Sequence, residues 1–117
     1  MNYVDGMVCA VPDAQREAYR QYAERMAALF KRHGALQVVD CWGDDVPEGK
    51  LTSFPMAVKR EPGETVVFSW IAWTSRAARD AAWEQLMKEP MMQPGHDPMP
   101  FDGKRMIYGG FQVLCNA

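Results

Sequence analysis

The sequence predicts an α+β fold, a ferredoxin-like βαββαβ sandwich in which two helices cover one face of a four-stranded antiparallel sheet. Three observations predict it. Four strand-like runs and two helix-like runs follow one another in the order β-α-β-(long connection)-β-α-β. Each helix-like run has an apolar stripe on one side only, so it covers a single surface. The strongest strand runs are apolar on both parities, so their sheet has a second surface that the helices cannot reach.

Tyr3 to Val11 is rich in Val and in strand-compatible residues, and it stops at Pro12-Asp13, where Asp13 is suited to cap a helix. From Ala14 to His33, Tyr19, Tyr22, Met26, Leu29 or Phe30, and His33 recur at spacings of three and four, with charged residues on the other faces. Gly34 follows as the expected terminator. Ala35 to Trp42 is the second strand, with Leu36, Val38, Asp40 and Trp42 on one parity. Residues 43–63 form a long connection, with a short strand or helical turn around Leu51–Lys59.

Glu64 to Trp73 is the strongest strand, dense in β-branched and aromatic residues. Thr74-Ser75 offers an N-cap for a second helix over Ala77–Glu89, which presents Ala78, Ala82 and Leu86 on one stripe. Pro90, Pro94, Pro98 and Pro100 bar regular helix or central strand over 90–103. Lys104 to Leu114 is the last strand, with Gly109-Gly110 in its middle.

In the third strand Val66, Phe68, Trp70 and Ala72 alternate with Val67, Ser69, Ile71 and Trp73; in the fourth, Met106 and Tyr108 alternate with Ile107, Phe111 and Val113. Both parities are apolar, and two helices cover one of them. The second face calls for a partner, and the simplest is another copy across a two-fold axis. A homodimer through the sheet face is the expectation.

Composition narrows the function classes. The 117 residues fit one domain, 1–117, and 48% hydrophobic with 24% charged residues suits a folded chain. The net charge of −2 offers no electrostatic footprint for nucleic acid. No apolar run approaches the roughly 18 residues of a membrane span, and the N-terminus does not read as a secretion signal. Cys9, Cys41 and Cys115 are odd in number, widely spaced and each in a strand-like run. They read as small buried hydrophobes in a reducing cytoplasm rather than as a disulfide framework or zinc site. Nothing calls for a cofactor or metal.

Asp5, Asp40, Ser69 and Gln112 are the polar residues that interrupt the apolar strands. Asp40 is the candidate general base, because a carboxylate among Leu36, Val38 and Trp42 must either pair with a base or shift its proton affinity. Asp44, Asp45 and Glu48 match no metal-binding loop and read as a solvated turn. The helix dipole accounts for His33 at a helix C-terminus. The connections 43–63 and 90–103 exceed ordinary loop lengths and so are candidates for a site or an interface. Met91, Met92, Met99 and Phe101 make the second a lid or, more readily, an arm that wraps a dimer. No GxGxxG, GxxxxGK[ST] or GxSxG motif occurs.

Several segments together are similar to the YbaA-like family of small uncharacterised bacterial proteins: Tyr3-Val4-Asp5-Gly6, His33-Gly34-Ala35-Leu36, CWGDDVPEGK from Cys41, Thr52-Ser53-Phe54-Pro55, GETVVFSW from Gly63 and MPFDGKRMIYGGF from Met99. The resemblance runs over nearly the whole chain. It implies the dimeric α/β-barrel superfamily, in which two ferredoxin-like sheets close into one barrel, and it supplies no catalytic set.

The leading expectation is a cytoplasmic homodimer with a small-molecule pocket for an apolar or aromatic ligand. If it is an enzyme, fold analogy points to a cofactor-free monooxygenase-like reaction or a proton transfer. The residues singled out are Asp40 as base, Trp42, Phe54 and Tyr108 as pocket wall or hydrogen-bond donor, and Arg105 as anion partner. The alternative is a non-catalytic, stress-related module that binds a ligand or a protein through 43–63 and 90–103.

Overall fold

In the computed structural model, which describes residues 1–117, the four strands are β1 (Tyr3–Pro12), β2 (Gln37–Trp42), β3 (Glu64–Trp73) and β4 (Ile107–Gln112). They form one antiparallel sheet in the order β2-β3-β1-β4. That order and the intervening helices α1 (Arg16–Arg32) and α3 (Arg76–Leu86) make the ferredoxin-like βαββαβ arrangement. A one-turn helix, α2 (Phe54–Ala57), lies in the connection before β3.

Local chemistry sets most of the boundaries. Asp13 does not cap α1: it lies in a 3₁₀ turn over Asp13–Gln15, and its carboxylate accepts the Thr65 hydroxyl at 2.5 Å. Gly34, with φ of +105°, ends α1 in the left-handed region that disfavours a side chain. Ser75 caps α3, its Oγ accepting the Ala78 N–H at 3.1 Å. Helix α3 ends at Leu86, short of the expected Glu89, because Glu89 precedes Pro90 and is held extended. Of the two options for Leu51–Lys59, the helical turn forms: Ser53 accepts the Met56 N–H at 3.1 Å and Pro55 sits in the first turn. The last strand begins later than expected, because Asp102 caps a 3₁₀ turn over Gly103–Arg105.

The core lies between the sheet and the helices. Leu29 of α1, Ile71 and Trp73 of β3 and Leu86 of α3 are fully buried there. The outer face is divided. At one end the 43–63 connection folds back, and Val58 packs with Val8, Ala10 and Val66. The expectation that all of this face needs a partner is therefore corrected: the chain covers part of it. The rest stays open, with Phe68, Ile107 and Phe111 exposed and Phe54 beside them. The Phe111 ring rests over Gly6 and Gly109, where an added Cβ would meet it at 3.4 and 3.5 Å.

The cysteines also depart from expectation. Cys9 is buried, but Cys41 faces outward on the edge strand and Cys115 lies beyond β4, both exposed. No helix is long and apolar enough to cross a membrane.

Candidate functional site

A cavity of about 530 Å³ opens between the sheet and the helices, within the range of small-ligand pockets. Of its 23 lining residues 17 are hydrophobic, so its few polar groups set what it can do. Ala23 and Ala27, one turn apart on α1, face Val38 and Asp40 of the edge strand β2, and their small side chains leave a slot. A second hollow on the outside, about 340 Å³, shares Tyr19, Ala23, Ala27, Val38 and Asp40 with the cavity. Asp40, an exposed residue of the edge strand, therefore lines both.

Sheet register builds the polar centre. Asp40 of β2 is directly opposite Ser69 of β3, which is opposite Met7 of β1. All three point to the helix side. The Ser69 hydroxyl donates to Asp40 Oδ1 at 2.5 Å, and the Tyr19 hydroxyl, descending from α1, donates to the same oxygen at 2.7 Å. No side chain or backbone group of the chain donates to Oδ2. Nearby, burial and then the charge of Asp40 push the Cys9 thiol up to about 12, so it is an unreactive thiol rather than a nucleophile. Burial, with the charge of Asp40, also moves the Tyr19 hydroxyl upward, which keeps it a hydrogen-bond donor.

The far end of the cavity holds a second, closed network. Asp5 is buried at 6% exposure, and its Oδ1 accepts from Nη2 and Nε of one edge of Arg79, at 2.8 and 3.0 Å. Its Oδ2 accepts the indole N–H groups of Trp73 at 2.9 Å and Trp83 at 3.0 Å. The Arg79 guanidinium lies over the Tyr3 ring, 5.3 Å from its centroid. Gly110 lets β4 pass this pair: a Cβ there would stand 2.4 Å from Tyr3 Oη.

Of the five residues singled out from sequence, Asp40 and Tyr108 line the cavity. Trp42 lines the outer hollow, with the Arg16 guanidinium 5.2 Å from its ring centroid. Phe54 is on the opposite side of the sheet, edge-on to Phe68 at 6.0 Å. Arg105 is held away from the cavity by Glu64, through two 2.8 Å bonds, and by Asp102 at 3.1 Å. Tyr19 reads from sequence as a core stripe residue, and its hydroxyl emerges as a partner of Asp40 only from the packing. Ser69 and Asp40 are both visible as polar interruptions in the sequence, and the register of β2 against β3 brings them together.

The 90–103 segment lies against its own chain. Met92, Met99 and Phe101 line the cavity, Phe101 packs on Tyr19 and Tyr22 at 5.8 and 6.3 Å, and Asp97 pairs with Arg25 at 2.8 Å. His33 meets Glu89 at 2.9 Å, while His96 is exposed. Glu48 pairs with Arg60 at 3.0 Å, and no three His, Cys, Asp or Glu side chains come together to hold a metal ion.

Comparison with known proteins matches the motifs read from sequence. The family model described as "Protein of unknown function (DUF1428)" covers residues 2–103. The uncharacterized protein YbaA of Escherichia coli (strain K12) is 56% identical over 116 residues, 99% of each chain, and its counterpart in Shigella flexneri matches to the same extent. A dimeric ferredoxin-like protein from an uncultured marine organism superposes with a TM-score of 0.64 at 12% identity, over 99% of this chain and 98% of that one. The ferredoxin-like fold is thus common to both, whereas that identity carries no function across.

Proposed function

We propose, for a chain that belongs to the DUF1428 family of proteins of unknown function, that it is a homodimer whose subunits each bind a small apolar or aromatic molecule between sheet and helices, with Asp40 as the proton acceptor. The observation that carries this reading is the half-used carboxylate at the mouth of an apolar cavity: Oδ1 is saturated by Tyr19 and Ser69, and Oδ2 is left for a ligand. Pairing through the open half of the outer sheet face is supported by its exposed aromatics and by the dimeric state named for the structural neighbour. Three unpaired cysteines are in keeping with a reducing cytoplasm.

The chemistry in reach is abstraction of a proton from the ligand by Asp40, which leaves a neutral carboxylic acid and the ligand's conjugate base. A monooxygenase-like course would begin with that step and would take molecular oxygen as co-reactant. The raised Cys9 thiol speaks against covalent catalysis through sulfur. A thermal-shift screen with small aromatic compounds tests the reading. Binding should raise the melting temperature of the wild type, and Asp40→Asn should abolish any turnover while leaving the dimer intact. No shift across a broad panel, with Asp40→Asn affecting stability alone, would remove both the pocket and the enzyme from consideration.

A further inference from the structure

The groups that surround the cavity limit what it can hold. Its charged lining residues are Asp5, Arg79 and Asp40. Asp5 and Arg79 cancel one another in a bidentate pair, and the remaining Arg79 nitrogen, Nη1, donates to Asp80 at 2.9 Å. Asp40 has no such partner: no Lys, Arg or His comes within ion-pair distance of it. Arg16 and Arg20 line the outer hollow only, Arg16 over Trp42 and Arg20 tied to Glu17 and Glu24. The cavity therefore carries at its rim one negative charge with no cation paired to it, on a residue of the edge strand that is itself exposed. The rise of the Cys9 thiol, caused in part by Asp40, is consistent with that field.

We propose that the cavity selects a small apolar molecule that brings a hydrogen-bond donor, neutral or cationic, to Asp40 Oδ2, and that it rejects anions. A hydroxyl, an N–H or an ammonium group satisfies the free oxygen. A carboxylate or phosphate meets like charge with no unpaired cation among the cavity's lining residues to offset it, and like-charge juxtaposition is unfavourable. A molecule with no donor fills the volume but forms no hydrogen bond with the carboxylate oxygen. The inference rests on the cavity's being a ligand pocket and adds the class of ligand.

Equilibrium dialysis of the full-length chain against four matched probes tests it: naphthalene, naphthol, naphthoate and naphthylmethylammonium, at neutral pH and moderate salt. Naphthol and the ammonium probe should bind, and naphthoate should bind at least about tenfold more weakly. Naphthalene should fall below naphthol. In Asp40→Asn, whose amide oxygen can still accept from Tyr19 and Ser69, the handicap of naphthoate should shrink. Ala27→Phe, which fills the slot, should weaken every probe. If naphthoate binds wild type as tightly as naphthol, the ligand class is wrong while the pocket survives. If none of the four binds, the pocket fails and the inference with it. The wild-type ranking decides the matter even if a variant does not fold.

Discussion

Tyr19 on α1 and Asp40 on the edge strand β2 are joined by a 2.7 Å hydrogen bond across the mouth of the cavity. The bond links a helix to a strand that has only one neighbour in the sheet, β3. It also fixes the carboxylate so that one oxygen is occupied and the other is turned free.

Tyr19→Phe removes the donor and leaves Asp40 with Ser69 alone. A hydrogen bond to a charged group contributes about 1.5–3 kcal/mol, and the partial exposure of this one places the expected loss at the lower end. Urea denaturation should show the midpoint falling with little change in slope. An unchanged midpoint would mean that water replaces the phenol at no cost.

The Asp5–Arg79 pair should be far more sensitive. Removing one partner of a buried ion pair costs about 3–5 kcal/mol, so Asp5→Asn should be severely destabilised. Gly110→Ala tests the same network from the side, because its new Cβ would collide with Tyr3 Oη and stand 2.9 Å from Arg79 Nη2. Its expected cost is about 1–3 kcal/mol, with a change in tryptophan emission as Trp73 and Trp83 lose alignment with Asp5. Thermal melts followed by fluorescence measure both.

Acid should act through Glu64. The two hydrogen bonds from Arg105, with the Glu61 N–H, bring its carboxyl down from the ordinary 4.5 to about 2. Folding lowers this pKa, so the stabilisation is complete above pH 4.5 and is lost as the pH falls through 2. Glu64→Gln should melt below wild type at neutral pH, and the gap should close on acidification across that window. Calorimetry over a pH series checks it; a gap independent of pH would assign the effect to packing.

The outer sheet face makes a prediction about mass. The wild type should sediment at twice the 13.3 kDa of one chain. Phe68→Asp puts a charge on the open part of that face and should shift the mass to that of one chain, because an unpaired charge in a buried interface is disfavoured. A wild-type mass of 13.3 kDa at micromolar concentration would contradict pairing.

Periodicity made the architecture legible. The stripe Tyr19–Tyr22–Met26–Leu29/Phe30 and the dense β3 run are long-range patterns that tertiary packing reinforces, and both elements formed as read. The ends were less legible, since they depend on single capping contacts: Asp13 turned to Thr65, and Pro90 cut α3 short. Asp40 was visible as a carboxylate out of place in an apolar parity. Its partner Tyr19 was not, because a tyrosine in a core stripe shows its ring in the pattern and hides where its hydroxyl points. The self-coverage by Val58 was equally hidden, since it depends on how the 43–63 connection turns back. Arg105 looked like a free cation because Glu64, 41 residues earlier, comes beside it only once the chain folds.

A crystal structure of the protein soaked with naphthol tests the central claim most directly. The ring should lie between α1 and the sheet, with its hydroxyl within hydrogen-bond distance of Asp40 Oδ2. Naphthol bound only on the outer sheet face, or in the cavity with its hydroxyl turned away from Asp40, would contradict the account.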